Sequence, residues 1–514
     1  MKHLILSVAL TCAVLAAAPA HALKLMPAGT YASGVFDESA AEIVTYDMKG
    51  KRIYVVNADS GDVDVLDASD IANPKKVRTF DFSKYGKAVN SVAFHDGMIA
   101  VAVEANDKQA PGVIVVTDAM GKVLGSFRAG ALPDMVTFTP DGKYILAANE
   151  GEPNDAYSVD PEGSVTIIDI SSGIGSATNR LVRFTAFNPF KEHLQAQGIR
   201  ISHPKASVAQ DLEPEYIAVA PDSKTAFVAL QENNAVAVVD IEAARVTKIL
   251  ALGLKHWWHG LVFDASDKDG KINLHPWPVS SAYMPDSIVA FSKDGRDYFI
   301  TANEGDSREY GDYSDEIRLG KAKLDPKRFP NAAALQDKAA LGRLKTIPDL
   351  SDMDGDGDFD RIVGFGGRSF TIWDDMGNKI FDSGDEFEKI LAEQYPDWFN
   401  TTNDEHKFDN RSDDKGCEPE AVEVGMIDGK LYCFIGLERM GGIMIYDITV
   451  PEKASFVSYR LDRDFSGDPK AGKAGDLGPE GVTFVPAEGS HTGEPLLIVG
   501  SEVSGTTTIY TFAK

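Results

Sequence analysis

The chain has 514 residues, 43% of them hydrophobic and 25% charged, a composition that excludes intrinsic disorder as the default and supports a sizeable core. Its 78 acidic against 51 basic residues give a net charge of −27 at pH 7, which repels a phosphate backbone and argues against nucleic acid as a partner. Beyond the N-terminus no segment approaches the roughly 18 unbroken apolar residues of a membrane span, so stable membrane insertion is not expected.

Residues 1–22 read as a signal peptide. Lys2 and His3 supply the positive start, Leu4 to Ala18 is almost wholly apolar, and Ala20-His21-Ala22 fits the small-x-small cleavage rule. Cleavage after Ala22 would release a mature chain into the periplasm or the medium. Cys12 follows Thr11, a poor context for lipid attachment. The mature chain then keeps Cys417 and Cys433, and an oxidising compartment favours a disulfide between them.

A repeat fills residues 23–514. In five copies an acidic position opens a short alternating run, a turn follows, and a second run closes on another acidic position; two degenerate copies at the start place Asn at one of the two positions. The openings are Glu42, Asn90, Asp134, Glu215, Asp286, Glu420 and Glu480, and the matching closures are Asn57, Glu104, Glu150, Glu232, Glu304, Glu438 and Glu502. Asp-Gly pairs at 96–97, 141–142, 294–295 and 428–429 mark turns. A third run follows each hairpin, as in SVTIIDI and GIMIYDI, and a fourth follows most, as in KVRTFDF and SFVSYRL. Four short strands repeated seven times predict an all-β, seven-bladed β-propeller. The last copy lacks a fourth strand, and Thr30 to Phe36 precedes the first copy, so this leading strand is expected to close the ring. Insertions near 188–211, 252–284, 305–367 and 384–417 interrupt the pattern, and loops of that length are commonly functional.

The first strand of a blade is innermost, and in an antiparallel hairpin its start lies beside the end of the second. All fourteen positions are thus expected around one mouth of the central channel. Twelve of them are acidic. Crowded carboxylates repel and take up protons unless hard divalent cations balance them. A metal-lined mouth follows as an expectation, with calcium and a second divalent or transition ion of unassigned identity as cofactors.

A second calcium candidate is DMDGDGDFD, where Asp352, Asp354, Asp356, Asp358 and Asp360 alternate around Gly357 as in an EF-hand loop. Val363 stands where that loop needs its bidentate Glu. Asp264, Asp267 and Asp269-Gly270 form a weaker acidic segment. Bases in nearby loops, Arg308, Arg439, His406, Arg411 and Lys415, either grip an anion or pair with neighbouring acids. His256-Trp257-Trp258-His259 reads first as rim packing and second as a ligand platform. The sequence contains no Gly-rich phosphate loop, no HExxH, no CxxCH and no GxSxG.

The strings NEGEPND (149–155), TANEGDSREYGDYSDEIRL (301–319), RSFTIWD (368–374), RSDDKGCEPEAVEVG (411–425), GLERMGGIMIYDI (436–448) and GPEGVTF (478–484) resemble the choice-of-anchor I family. The chain is similar also to the animal mesenchyme-specific cell-surface glycoprotein group and, more loosely, to YVTN-type propellers. The resemblance implies a secreted or surface propeller, and some relatives carry an alkaline phosphatase label. Two functions compete. One is a metal-dependent phosphoesterase acting on a small phosphorylated substrate. Metals among Glu150, Glu232, Glu304, Glu438 and Glu502 would activate water there, Glu304 and Glu438 would be central, and Arg308 or Arg439 would clamp the phosphate. The other is a non-catalytic, calcium-stabilised propeller that binds an extracellular ligand. A quinone- or metal-dependent oxidoreductase has no ligand set in its support.

Overall fold

The Asp-Gly pairs dictate the hairpins. At Asp294-Gly295 and Asp428-Gly429 both residues take positive φ, 51° and 77° in one, 51° and 78° in the other. That is the tight turn whose twist matches its flanking strands. It sets Lys293 opposite Arg296 and Ile427 opposite Lys430, and the alternating side chains then face the two sides of each sheet.

The computed structural model describes residues 22–514; the signal peptide expected over 1–22 lies outside them apart from Ala22. Hairpin follows hairpin into seven four-stranded antiparallel sheets, spanning 44–80, 88–131, 133–183, 217–251, 288–382, 419–460 and 479–513. In six of them the four strands lie in chain order. The seventh takes its outer strand from the N-terminus: Lys24–Ala32 runs antiparallel to Thr506–Ala513, Lys24 opposite Ala513 and Ala32 opposite Thr506. Residues 304–368 separate the second and third strands of the fifth sheet.

The sheets stack through apolar layers, giving a β-propeller fold. Leu146, Val165, Val228 and Val239 lie between the third and fourth sheets, and Phe370, Phe387, Cys433 and Tyr446 between the fifth and sixth. Ile53, Val55 and Leu66 of the first sheet share a cluster with Leu496, Ile498 and Ile509 of the seventh. Inner strands are also tied by single hydrogen bonds: Asn90 Nδ2 donates to Pro133 O (3.2 Å) and Thr483 Oγ1 to Val44 O (2.7 Å).

The insertions add a smaller five-stranded sheet from Leu254–His256, Val279–Ala282, Ile362–Gly364, Lys345–Thr346 and Ile317–Arg318. It has its own core around Trp257, Phe263 and Leu341. Trp257 is fully buried there, its Nε1 donating to Ser281 Oγ (3.0 Å), while Trp258 is exposed and stacks on His256. The helix Glu386–Gln394 drops Phe387 and Leu391 between the fifth and sixth sheets.

The expected disulfide is corrected: Cys417 and Cys433 are both free and buried. Both belong to the apolar cluster between the fifth and sixth sheets, and burial pushes their thiols well above the usual range. They serve as small core side chains.

If Lys24–Ala32 is what covers the edge of Thr506–Ala513, deleting residues 24–32 exposes a strand edge. Such a chain is expected to unfold at lower temperature and to self-associate in size-exclusion chromatography; an unchanged Tm and a monodisperse peak would contradict that role.

Candidate functional site

The openings of the inner strands share a local irregularity. Pairing slips by one residue between Val89 and Ser91, Pro133 and Val136, Pro419 and Val422, and Pro479 and Gly481. Glu42 and Ile43 likewise share Val56 as their single partner, and Glu215 and Tyr216 share Ala229. These are β-bulges, which place two residues against one and re-aim a side chain. Asn90, Asp134, Glu420 and Glu480 fall within them, as do Glu42 and Glu215.

All seven opening residues, Glu42, Asn90, Asp134, Glu215, Asp286, Glu420 and Glu480, line one cavity of about 310 Å³. The closing residues divide. Glu150, Glu304 and Glu438 reach the same cavity, and Glu232 lines the adjoining one with Asp306, Lys415 and Arg439. Glu104 instead pairs with Lys87 (3.0 Å), and Glu502 accepts from Ser39 Oγ (2.9 Å). With Asp306 the main cavity counts ten carboxyl groups against two basic side chains, Lys415 and Arg439, an imbalance that full ionisation at neutral pH would not tolerate.

Two electrostatic regimes result. On one side Lys415 reaches Glu304 (2.7 Å), Asp306 (3.3 Å) and Glu418 (3.4 Å), and Gln231 donates to Glu304 (2.9 Å). Glu418, fully buried, also receives Arg411 Nε (2.9 Å) and Arg439 Nε (3.0 Å), and Arg439 pairs with Glu438 (2.6 Å). Burial works against the Glu418 carboxylate, but Lys415, Arg439 and Arg411 together hold it well below the usual range.

Elsewhere in the cavity, and at Glu304 and Glu438 despite Lys415 and Arg439, burial dominates, reinforced by neighbouring carboxyls. Glu215, Asp286, Glu420 and Glu480 are pushed well up, Asp134 to about 7 and Glu42 to about 8. Glu215, Glu420 and Glu480 each leave Oε2 buried with no hydrogen-bond partner. Oxygen donors of Asp286, Glu304 and Glu420 lie within 4.8 Å of one another, as do those of Glu304, Glu418 and Glu438. The first trio faces the cavity; the second is already neutralised by Lys415 and Arg439.

Arg308 does not stand at the mouth as a free clamp. It is buried, with Nε on Glu213 (2.9 Å), Nη1 on Ser202 Oγ (2.8 Å) and Nη2 on the Asp211 carbonyl (2.8 Å). Every arm is taken, so it holds an insertion in place. His406 contacts the Gly467 carbonyl (2.8 Å) and Arg463, away from the ring. Sequence reasoning missed Glu418 and Glu213. The signal was available: EPE stands at 213–215 and 418–420, where the other copies read LPD, MPD and GPE, and both extra glutamates receive arginines, Arg308 on Glu213 and Arg411 and Arg439 on Glu418.

In the acidic loop, Asp352, Asp354 and Asp360 come within 4.8 Å of one another. Asp352 accepts from the backbone of Gly355 and Gly357 (2.7 and 2.9 Å). Asp358 turns to Lys323 (3.0 Å), and Asp356 accepts from the Asp358 amide. Three of the five alternating acids converge, so the loop departs from the EF-hand arrangement.

A family model described as the choice-of-anchor I domain matches residues 42–451. The chain is similar to Gigasin-3a of Magallana gigas, 30% identical over 196 residues, which are 34% of this chain and 66% of that protein. It is also similar to the mesenchyme-specific cell surface glycoprotein of Strongylocentrotus purpuratus, 26% identical over 311 residues, 52% of this chain and 40% of that protein. The chain thus spans less than two thirds of the length of either relative. Among solved structures, the β-propeller domain of Cps50 (Swd1) from Myceliophteria thermophila aligns over 95% of this chain and 99% of its own, at 10% identity and a TM-score of 0.46.

Two predictions follow from the charges. Asp134, Glu42 and Glu232 titrate near 7 or 8 when folded, against about 4 unfolded. The folded state therefore binds more protons across that window, and stability falls as pH rises through it. In chelator the Tm is expected to drop by several degrees between pH 5 and pH 8, whereas a flat or rising Tm would refute the raised values. Lys415→Met removes the shared partner of Glu304 and Glu418 and should cost about 3–5 kcal/mol in urea unfolding; a loss below about 1 kcal/mol, the worth of an exposed pair, would show that the cluster is solvated.

Proposed function

Because the chain belongs to the choice-of-anchor I family, we propose that it is an extracellular binding propeller, non-catalytic, whose carboxylate mouth takes up divalent cations. Calcium is the first candidate. In this reading the seven sheets are blades of one ring, the N-terminal strand closes it, and removal of residues 1–22 delivers the chain to the periplasm or the medium. One relative's name, a cell surface glycoprotein, agrees with such a location. Among the described residues no helix is long and apolar enough to cross a membrane.

The observation that carries the proposal is the set of buried carboxyl oxygens without partners on Glu215, Glu420 and Glu480. An unpaired buried acceptor is costly, and several converging on one cavity match the oxygen-only donor set of a hard cation. Asp286 and Glu420, whose oxygens lie within 4.8 Å of one another, would form the first contacts. A cation held there leaves a positive centre able to hold an anionic or hydroxyl-rich extracellular ligand, with the long insertions supplying selectivity.

The phosphoesterase alternative fits less well. Arg308, its expected phosphate clamp, is spent on Glu213 and Asp211, and Glu304 is bound by Lys415 and Gln231. Neither is free to act on a substrate.

Isothermal titration of chelated protein with calcium and manganese tests the reading. Asp286→Asn with Glu420→Gln should weaken the cation at the mouth by at least about tenfold, roughly 1.4 kcal/mol. Absence of any cation binding sensitive to that pair would overturn the proposal. Metal-restored turnover of a chromogenic phosphomonoester, lost in the same variant, would return the hydrolase.

A further inference from the structure

Beneath the mouth the same inner strands line a second cavity, of about 350 Å³. Ile43, Ser91, Met135 and Tyr216 line both cavities, so the two adjoin. Each inner strand ends its sheet and is paired along one edge only. The free edge leaves backbone N–H and C=O groups in need of partners, and residues of all seven inner strands line this cavity.

One position breaks the repeat there. Three residues past the opening position, six copies carry Thr45, Ala93, Thr137, Ala218, Val289 and Thr483, all uncharged, and the remaining copy carries Glu423. All seven line the cavity, whose lining holds no lysine or arginine. The Val424 amide donates to Glu423 Oε1 (2.7 Å), and among the described residues no base pairs with this carboxyl. Burial pushes it up to about 7, opposed only by the backbone amides of Val424 and Phe484. Ties between inner strands do not require a charge: Thr483 Oγ1 reaches the Val44 carbonyl (2.7 Å), and Ser91 Oγ accepts from the Val136 amide (3.2 Å). A carboxyl at this one position is therefore in excess of what the scaffold uses elsewhere.

We propose that this cavity binds a small primary alkylammonium, its nitrogen on Glu423 and its hydrocarbon body against the aliphatic side chains of the inner strands. One positive charge then meets one carboxylate. An ammonium group carries three N–H donors and no acceptor, and the cavity offers acceptors: the Glu423 carboxylate, the hydroxyls of Thr45 and Thr137, and strand carbonyls. Ile43, Val219, Val289 and Val482 supply aliphatic surface. The volume lies at the lower end of small-molecule sites, which combine an enclosing wall with a few placed polar groups. A hard divalent cation fits less well, because it draws on several charged oxygens and a single carboxyl stands here. A cation beside Glu423 would also favour its ionised form against the burial that opposes it.

The proposal does not rest on the reading of the mouth, and a monovalent organic probe separates the two. In chelator, saturation-transfer NMR with n-butylammonium is expected to show saturable binding to the wild type. The same measurement with n-butanol, which has the body without the charge, is expected to show none. Glu423→Gln should weaken n-butylammonium by at least about tenfold. Equal binding to wild type and Glu423→Gln would overturn the site. So would binding lost in Asp286→Asn with Glu420→Gln but kept in Glu423→Gln, which would put the ammonium at the mouth. Should Glu423→Gln fold poorly, wild-type crystals soaked in n-butylammonium chloride give the second readout. Density for the ammonium within hydrogen-bond reach of Glu423 is expected; water alone in the cavity, or calcium in its place, would overturn the proposal.

Discussion

Everything at the mouth depends on a mismatch of one residue. Six of the seven inner strands begin with two residues set against one, and in five of them a carboxyl-bearing residue sits in the bulge. A regular ladder would alternate side chains between the two faces of the sheet, and a carboxylate there would lie between sheets, against Val, Ile and Phe. The bulge turns it to the axis instead. Glu42 and Ile43 facing Val56, and Glu215 and Tyr216 facing Ala229, show the device in two copies far apart in the chain. The cost is a ring of like charges, and the apolar layers between the sheets must outweigh it.

The protein meets that charge in two ways. The repeat supplies the carboxylates and, beside Glu438, Arg439, whereas the other bases come from insertions: Lys415 and Arg411 precede the sixth sheet, and Arg308 lies in the segment that splits the fifth. Lys415 reaches Glu304 across 111 residues of sequence. Opposing charges are therefore concentrated beside the fifth and sixth sheets. Around Glu480, Glu42 and Asp134 the cavity lining offers no basic side chain, and there the carboxyls are held near neutrality by burial and by one another.

Much of this was legible in the sequence because it obeys short periods. Alternation, Asp-Gly turns and the doubled acidic positions located the strands, and antiparallel pairing placed both ends of a hairpin at one mouth. What was not legible depends on partners distant in sequence. Glu104 and Glu502 occupy the same repeat positions as Glu304, but Lys87 and Ser39 engage them, and no period announces that. Arg308 looked like a free base four residues from Glu304 until the fold brought Glu213 and Asp211 around it. The two cysteines were read from their compartment, yet their place in an apolar layer decides their state. In DMDGDGDFD the spacing was regular, but Lys323 drew Asp358 away.

The division of labour between repeat and insertions bears on specificity. A repeated strand start can only repeat its chemistry, so by itself it lines the cavity with like groups and no preferred side. The insertions at 252–284 and 304–368 share one small sheet, and the buried Arg308 and Arg368 with the half-buried Arg318 tie these insertions to the one at 384–418 and to the main sheets. They break the symmetry by neutralising one side and walling it with side chains such as Tyr310, Lys345 and Arg411. A ligand approaching the mouth meets fixed positive charge on that side and a field of carboxyl oxygens on the other. Under the proposed binding function, affinity for cations would be a property of the repeat and choice of partner a property of the insertions, leaving the two free to vary independently on one scaffold.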